Sequence, residues 1–126
     1  MILTAHQSAY LPWLGYFHKI ILADKFIVLD NVQFEKNSFI NRNKVKTPGK
    51  DTWLTVPVLS KGHISSSIKD LKINNKTNWR ASHWKTIFFN YKKAPFFKLY
   101  SDFFEDLYKK DWELLCDLNQ YILNYI

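Results

Sequence analysis

The chain opens on a short apolar run, Ile2 to Ala5, followed at once by the polar residues His6, Gln7 and Ser8. Pro12 then starts a helical pattern, with Leu11, Leu14, Phe17, Ile21 and Leu22 on one side and His18 at the same spacing. Proline in a first turn fits a helix start, because its missing N–H has no partner there in any case. Gly15 inside that helix costs roughly 1 kcal/mol relative to alanine, tolerable where a neighbour packs closely against it. Phe26-Ile27-Val28-Leu29 is a continuous apolar run, the pattern of a strand buried on both faces. Strand, helix and strand in this order predict a βαβ unit with two parallel strands.

From Asp30 to Lys50 the pattern turns polar, broken only by Val32, Phe34, Phe39, Ile40 and Val45, and it ends in the turn pair Pro48-Gly49. It reads as a connector. Trp53 to Val58 reads as a strand, with Pro57 marking an edge or an early exit. Gly62 to Ser67 reads as a small-residue loop, and Ile68 to Ile73 alternates as a further strand would. The last third is helical. Thr77 or Asn78 can cap a helix carrying Trp79, Trp84, Ile87, Phe88 and Tyr91, and Ala94-Pro95 breaks it. A second helix follows from Phe96 to Tyr108. Asp111 can cap a third, with Trp112, Leu115, Leu118, Ile122 and Tyr125 on a stripe. The expected fold is α/β: a small Rossmann-like, largely parallel sheet followed by a helical C-terminal third, in a single domain over residues 1–126. The many aromatics of the tail predict either closure on the sheet or an apolar face that something else covers.

Composition narrows the class. The chain is 47% hydrophobic and 17% aromatic, which supports a core and excludes the signature of disorder. No apolar stretch is long enough to span a bilayer, and no basic region precedes an apolar block as in a secretory signal. The single cysteine excludes an internal disulfide framework, and no Cys/His spacing suits zinc. A cytoplasmic protein without a metal is expected. The net charge, 18 basic minus 11 acidic residues or +7, permits anionic partners. It does not demand them, because only Arg42 and Arg80 are arginines, the residue best suited to bidentate phosphate recognition.

The densest polar cluster, His6, Gln7, Ser8 and Tyr10, follows the first strand and precedes a helix N-terminus. Ligands in open α/β sheets bind beyond the carboxyl ends of strands, and a helix N-terminus offers unpaired N–H groups to an anion. His6 is therefore a candidate catalytic residue, set against a loop-bracing histidine. Asp30, at the end of the second strand, lies on the same edge if the strands are parallel; the alternative is a turn cap. Asn41, Arg42, Asn43 and Lys44 fall in a stretch dense in amide and cationic donors, suited to phosphate, sugar or carboxylate, with a solvated turn as the plainer reading. His18 and His83 read as partly buried structural histidines, and Cys116 as buried and inert. Aromatics interleaved with lysines from Trp84 to Lys93 suit single-stranded nucleic acid, or a helix core. Walker, G-x-G-x-x-G and G-x-S-x-G motifs are absent from the sequence.

Several blocks together resemble one family. His6-Gln7-Ser8-Ala9-Tyr10-Leu11-Pro12-Trp13-Leu14-Gly15-Tyr16-Phe17-His18-Lys19 is similar to the opening signature of the WbqC-like family. So, in order, are Ala23-Asp24, Leu29-Asp30-Asn31-Val32-Gln33-Phe34, Asn41-Arg42-Asn43 and Trp53-Leu54-Thr55-Val56-Pro57-Val58. Trp79 with His83, and then Tyr91-Lys92-Lys93-Ala94-Pro95-Phe96-Phe97, are similar to its next region. The resemblance implies a bacterial protein of O-antigen or other surface-polysaccharide synthesis. The leading expectation is a transferase-type enzyme acting on a sugar or nucleotide-sugar, since the βαβ start with His6 at a helix N-terminus resembles in outline the nucleotidylyltransferase arrangement; the cofactor is undefined. On that expectation His6 and Asp30 are catalytic, and Gln7, Tyr10, Asn41, Arg42, Asn43 and Lys44 bind substrate. Ser8 stands where the family usually has proline, and typical members carry a further C-terminal portion. Two alternatives remain: a non-catalytic nucleic-acid-binding module, or a truncated remnant whose aromatic helices need a homo-oligomer or another partner to cover them.

Overall fold

The computed structural model describes residues 1–59 and 67–126. Strand β1 (Leu3–Gln7), helix α1 (Leu14–Ile21) and strand β2 (Lys25–Leu29) form the expected βαβ unit, with parallel strands and His6 in register with Val28. Strands β3 (Arg42–Thr47) and β4 (Lys50–Thr55) pair as a separate antiparallel hairpin. Helices α2 (Trp79–Tyr91), α3 (Phe97–Lys109) and α4 (Leu115–Tyr125) complete the chain. The fold is mixed α/β. Its described strands divide into two two-stranded sheets, where one largely parallel sheet was expected.

The core lies away from the parallel pair. Leu54 and Val56, then Ile68 and Leu71, then Leu107, Leu115, Leu118 and Ile122 pack together beneath the hairpin and the helices, and no side chain of β1 or β2 belongs to that cluster. Each such burial contributes roughly 1.5–3 kcal/mol relative to exposure. The βαβ unit is fastened to this centre by its loops. The Tyr10 side chain enters the core, the Lys69 N–H donates to the Asp30 carbonyl (2.7 Å), and the Ile68 N–H donates to that of Val32 (2.9 Å).

Several expectations are corrected. β2 alternates in burial, with Ile27 46% exposed, because β1 is its one strand neighbour among the described residues and α1 packs on a single face. In α1 the buried residue is Tyr16; Leu14, Ile21 and His18 face solvent. Gly15 admits the Trp13 indole, which sits 3.0 Å from where a Cβ would be. β3 lies inside the polar stretch read as a connector: Val45 turns inward, while Arg42, Lys44 and Lys46 share the outer face with Trp53. Pro48-Gly49 makes the turn, and Gly49 takes a positive φ of 76° that favours glycine.

β4 stops at Thr55, ahead of Pro57. Ile68 to Ile73 is not a strand but a 3-10 turn (Ile68–Asp70) followed by isolated bridges, since Ile68, Leu71 and Ile73 are all buried and their spacing is not alternating. The loop expected at Gly62 to Ser67 lies, apart from Ser67, outside the described residues. Asp111 does not cap α4, which starts after Leu114; it pairs with Arg80 at 3.0 Å. Leu115, Leu118 and Ile122 are buried as expected, but Tyr125 is half-exposed and stacks flat on Phe103. Phe96, Leu99 and Tyr100 leave an apolar face open on α3. Among the described residues no helix is long and apolar enough to cross a membrane.

Candidate functional site

His6 is half-buried at the carboxyl end of β1, its ring edge-on to Tyr16 (4.9 Å between centroids) and Trp13 (5.4 Å). Its Nδ1 lies 3.0 Å from the Gln7 carbonyl. A carbonyl only accepts, so Nδ1 carries the proton and the Nε2 lone pair is left over. Nε2 has no hydrogen-bond partner among the described residues. Gln7 is separated from it: strand alternation turns the Gln7 side chain to the opposite face of the sheet, while its carbonyl also accepts from the Tyr16 hydroxyl (3.1 Å).

Asp30 lies two residues past Val28, the register partner of His6, and no hydrogen bond joins the two candidates. Its carboxylate is close enough to act on Cys116. Burial first, and then the charge of Asp30, push that thiol up to about 11, so it stays protonated and donates to the Ile68 carbonyl (3.4 Å). Nearby, the Asn119 amide donates to Ser8 Oγ (2.8 Å) and to the Ile40 carbonyl (3.0 Å), tying α4 to the end of β1.

Tyr10 is buried completely. Its hydroxyl bonds to His83 Nδ1 (2.8 Å) and to the Tyr108 hydroxyl, and His83 Nε2 reaches the Thr55 carbonyl (3.1 Å). The carbonyl requires Nε2 to carry the proton, so the Tyr10 hydroxyl donates to Nδ1. Burial lowers the His83 pKa from 6.5 to about 4 and raises those of Tyr10 and Tyr108. This network holds the fold together: it joins the β1–α1 loop, α2 and α3.

Asn41 is also buried. Its amide donates to the Val56 carbonyl (3.0 Å), while its Oδ1, like that of Asn119, has no partner among the described residues. Asn43 and Arg42 clasp two residues with left-handed backbone, a conformation that strains a residue bearing a Cβ. The Asn43 amide donates to the carbonyl of Leu11 (φ 48°), and Arg42 Nη2 donates to that of Asn37 (φ 60°) at 2.7 Å. The Arg42 guanidinium lies over the Trp53 ring at 4.0 Å, and the exposed Lys44 brings its ammonium to 5.1 Å from the same ring. Such contacts stabilise by about 0.5–2 kcal/mol.

Sequence reasoning missed the rings that connect these residues. From Trp53 the row runs to Phe39 (5.8 Å), to Trp13 (5.3 Å) and so to His6. Trp53, Phe39 and Trp13 are 39%, 45% and 38% exposed. No sequence signal joins them: they stand in three separate segments, and in isolation each reads as core. The structure thus brings His6 to one end of an aromatic row and Arg42 and Lys44 to the other, and leaves Tyr10, Asn41 and Asn43 off it.

Comparison with known proteins gives the chain a family. The profile of the WbqC-like protein family matches residues 7–126, which include every candidate but His6. The chain belongs to the WbqC-like family. A relative, an uncharacterized protein of Mycobacterium tuberculosis, is 38% identical over 121 residues, covering 95% of this chain and 52% of the relative. The chain therefore spans about half the length of that relative. No solved structure matches it. Among the described residues of this WbqC-like chain no group of three or more His, Cys, Asp or Glu side chains could hold a metal ion. A wholly apolar cavity of about 390 Å³, bounded by Leu11, Val45, Ile87, Tyr91, Phe97 and Phe104, lies on the opposite side of β3 from the aromatic row.

Proposed function

We propose that this WbqC-like chain takes part, as a single cytoplasmic α/β domain, in a transferase-type step on a nucleotide-activated or amino sugar during synthesis of O-antigen or a related surface polysaccharide. The observation that carries the reading is His6: a histidine at the carboxyl end of a parallel strand, held by its neighbours, with Nε2 uncommitted among the described residues. Ligands in α/β sheets bind at that edge, and an imidazole with a free lone pair can accept a proton from an attacking hydroxyl or amine. When protonated, it can donate to a phosphate oxygen. Asp30 serves as the second proton acceptor or as a ligand for a sugar hydroxyl. Arg42 and Lys44 offset phosphate charge at the other end of the row.

The test is thermal shift of the purified protein against nucleotide-sugars and free nucleotides. A ligand present at a hundred times its Kd adds roughly 2.7 kcal/mol of stability, a shift of several degrees. His6→Ala is expected to melt near the wild-type temperature and to lose that shift. Unchanged affinity in the variant would remove His6 from the reaction.

A further inference from the structure

The two arginines of this chain are in opposite situations. Arg80 is satisfied by Asp111 and by the carbonyls of Lys109 and Lys110 at the end of α3. Arg42 is half-buried against Trp53 and gives one N–H to Asn37, its Nε is shut in without a partner, and no carboxylate pairs with it among the described residues. Lys44, on the same hairpin face, lies against the same ring and likewise has no acidic partner among the described residues. An indole face attracts each cation without neutralising it, so two positive groups share one ring and repel each other. An anion within reach of both groups offsets that repulsion. Phe39 and Trp13 then extend an exposed ring surface away from the charged end, a row of large apolar groups that a solvated face does not require.

We propose that Arg42 and Lys44 on Trp53 form a phosphate-binding platform suited to a diphosphate, and that Phe39 and Trp13 stack the ring system attached to it, making a nucleoside diphosphate the class of ligand. This rests on the reading above for the general nature of the substrate, though not for the role of His6. Planar guanidinium and point-like ammonium groups together match a diphosphate, and base stacking on aromatic rings tolerates any base.

The probes are inorganic pyrophosphate, uridine diphosphate, uridine and oligothymidylate, each titrated calorimetrically with tryptophan fluorescence recorded in parallel. Pyrophosphate and uridine diphosphate are expected to bind at one site and uridine alone to bind far more weakly. The diphosphate should bind about fivefold or more tighter than pyrophosphate and quench fluorescence, through stacking. Arg42→Gln should weaken pyrophosphate about tenfold or more, through loss of a charge-assisted bond. Lys44→Gln should weaken it about threefold. Lys85→Gln, the same charge change on an exposed position of α2, should leave the affinity unaltered. Because the Lys44 side chain makes no hydrogen bond among the described residues, its variant keeps the test intact if Arg42→Gln fails to fold.

Absence of pyrophosphate and diphosphate binding overturns the proposal, and so does an equal loss in Lys85→Gln. Tight oligothymidylate binding that falls steeply with salt, without saturable diphosphate binding, overturns it in favour of a single-stranded nucleic-acid surface. A nucleotide-sugar whose binding is lost in His6→Ala but kept in Arg42→Gln removes the platform and leaves the His6 reading. Diphosphate binding lost in Arg42→Gln, with no nucleotide-sugar depending on His6, does the reverse.

Discussion

Tyr10→Phe is expected to lower stability by about 1–3 kcal/mol, and Tyr10→Ala by about 3–5 kcal/mol. The first change removes one oxygen and leaves His83 Nδ1 and the Tyr108 hydroxyl in the interior without their shared partner. A buried group left unsatisfied costs the water it gave up on folding. The second change also empties the volume of a ring that is wholly enclosed among the core side chains. Because that ring anchors the loop between β1 and α1, its loss also loosens Trp13 and His6 relative to the hairpin. Urea unfolding of both variants measures the costs. Ligand titration of Tyr10→Phe separates the structural role from the substrate contact that the sequence suggested. Full stability together with lost ligand affinity would restore that contact.

What the sequence revealed followed from periodicity. Ile2 to Ala5, the helical pattern after Pro12 and the Phe26–Leu29 run contain a complete βαβ unit, and the structure forms it with parallel register, the helix starting at Leu14 and not in the turn of Pro12. The hairpin stayed hidden because its outer face is charged: in Arg42-Asn43-Lys44-Val45-Lys46-Thr47 a single apolar residue turns inward, and one residue makes no visible alternation. The segment from Ile68 to Ile73 misled for the converse reason, since its apolar residues are buried by three different neighbours rather than by one sheet. At the candidate site, the place of His6 at a strand's carboxyl end could be read from position alone. The partnership of Tyr10 with His83 spans 73 residues, and the row from Trp13 through Phe39 to Trp53 joins three segments that have no pattern in common. Sequence spacing reports what one element does; these contacts exist only where elements meet.

The same distant pairing sets the expected pH dependence. Burial holds the folded-state pKa of His83 at about 4, against 6.5 for an unhindered histidine. Between those values the unfolded chain takes up a proton that the folded chain refuses, so acidification favours unfolding. Stability contributed by this group is complete above pH 6.5, declines as pH falls, and is exhausted below about pH 4. At roughly 1.4 kcal/mol per pH unit the total loss is about 3–4 kcal/mol, a large fraction of a typical domain's stability. Tyr10 and Tyr108 act in the other direction at the far end of the scale. Their raised pKa values mean that the unfolded chain ionises first above pH 10, so stability falls again there. Denaturant midpoints measured from pH 4 to 8 test the acid limb. His83→Gln can still donate to the Thr55 carbonyl but cannot titrate, so its curve should lose the decline between pH 6.5 and 4 that belongs to the imidazole. An unaltered slope in His83→Gln would assign the acid sensitivity to the carboxylates and leave His83 ionised freely within the fold.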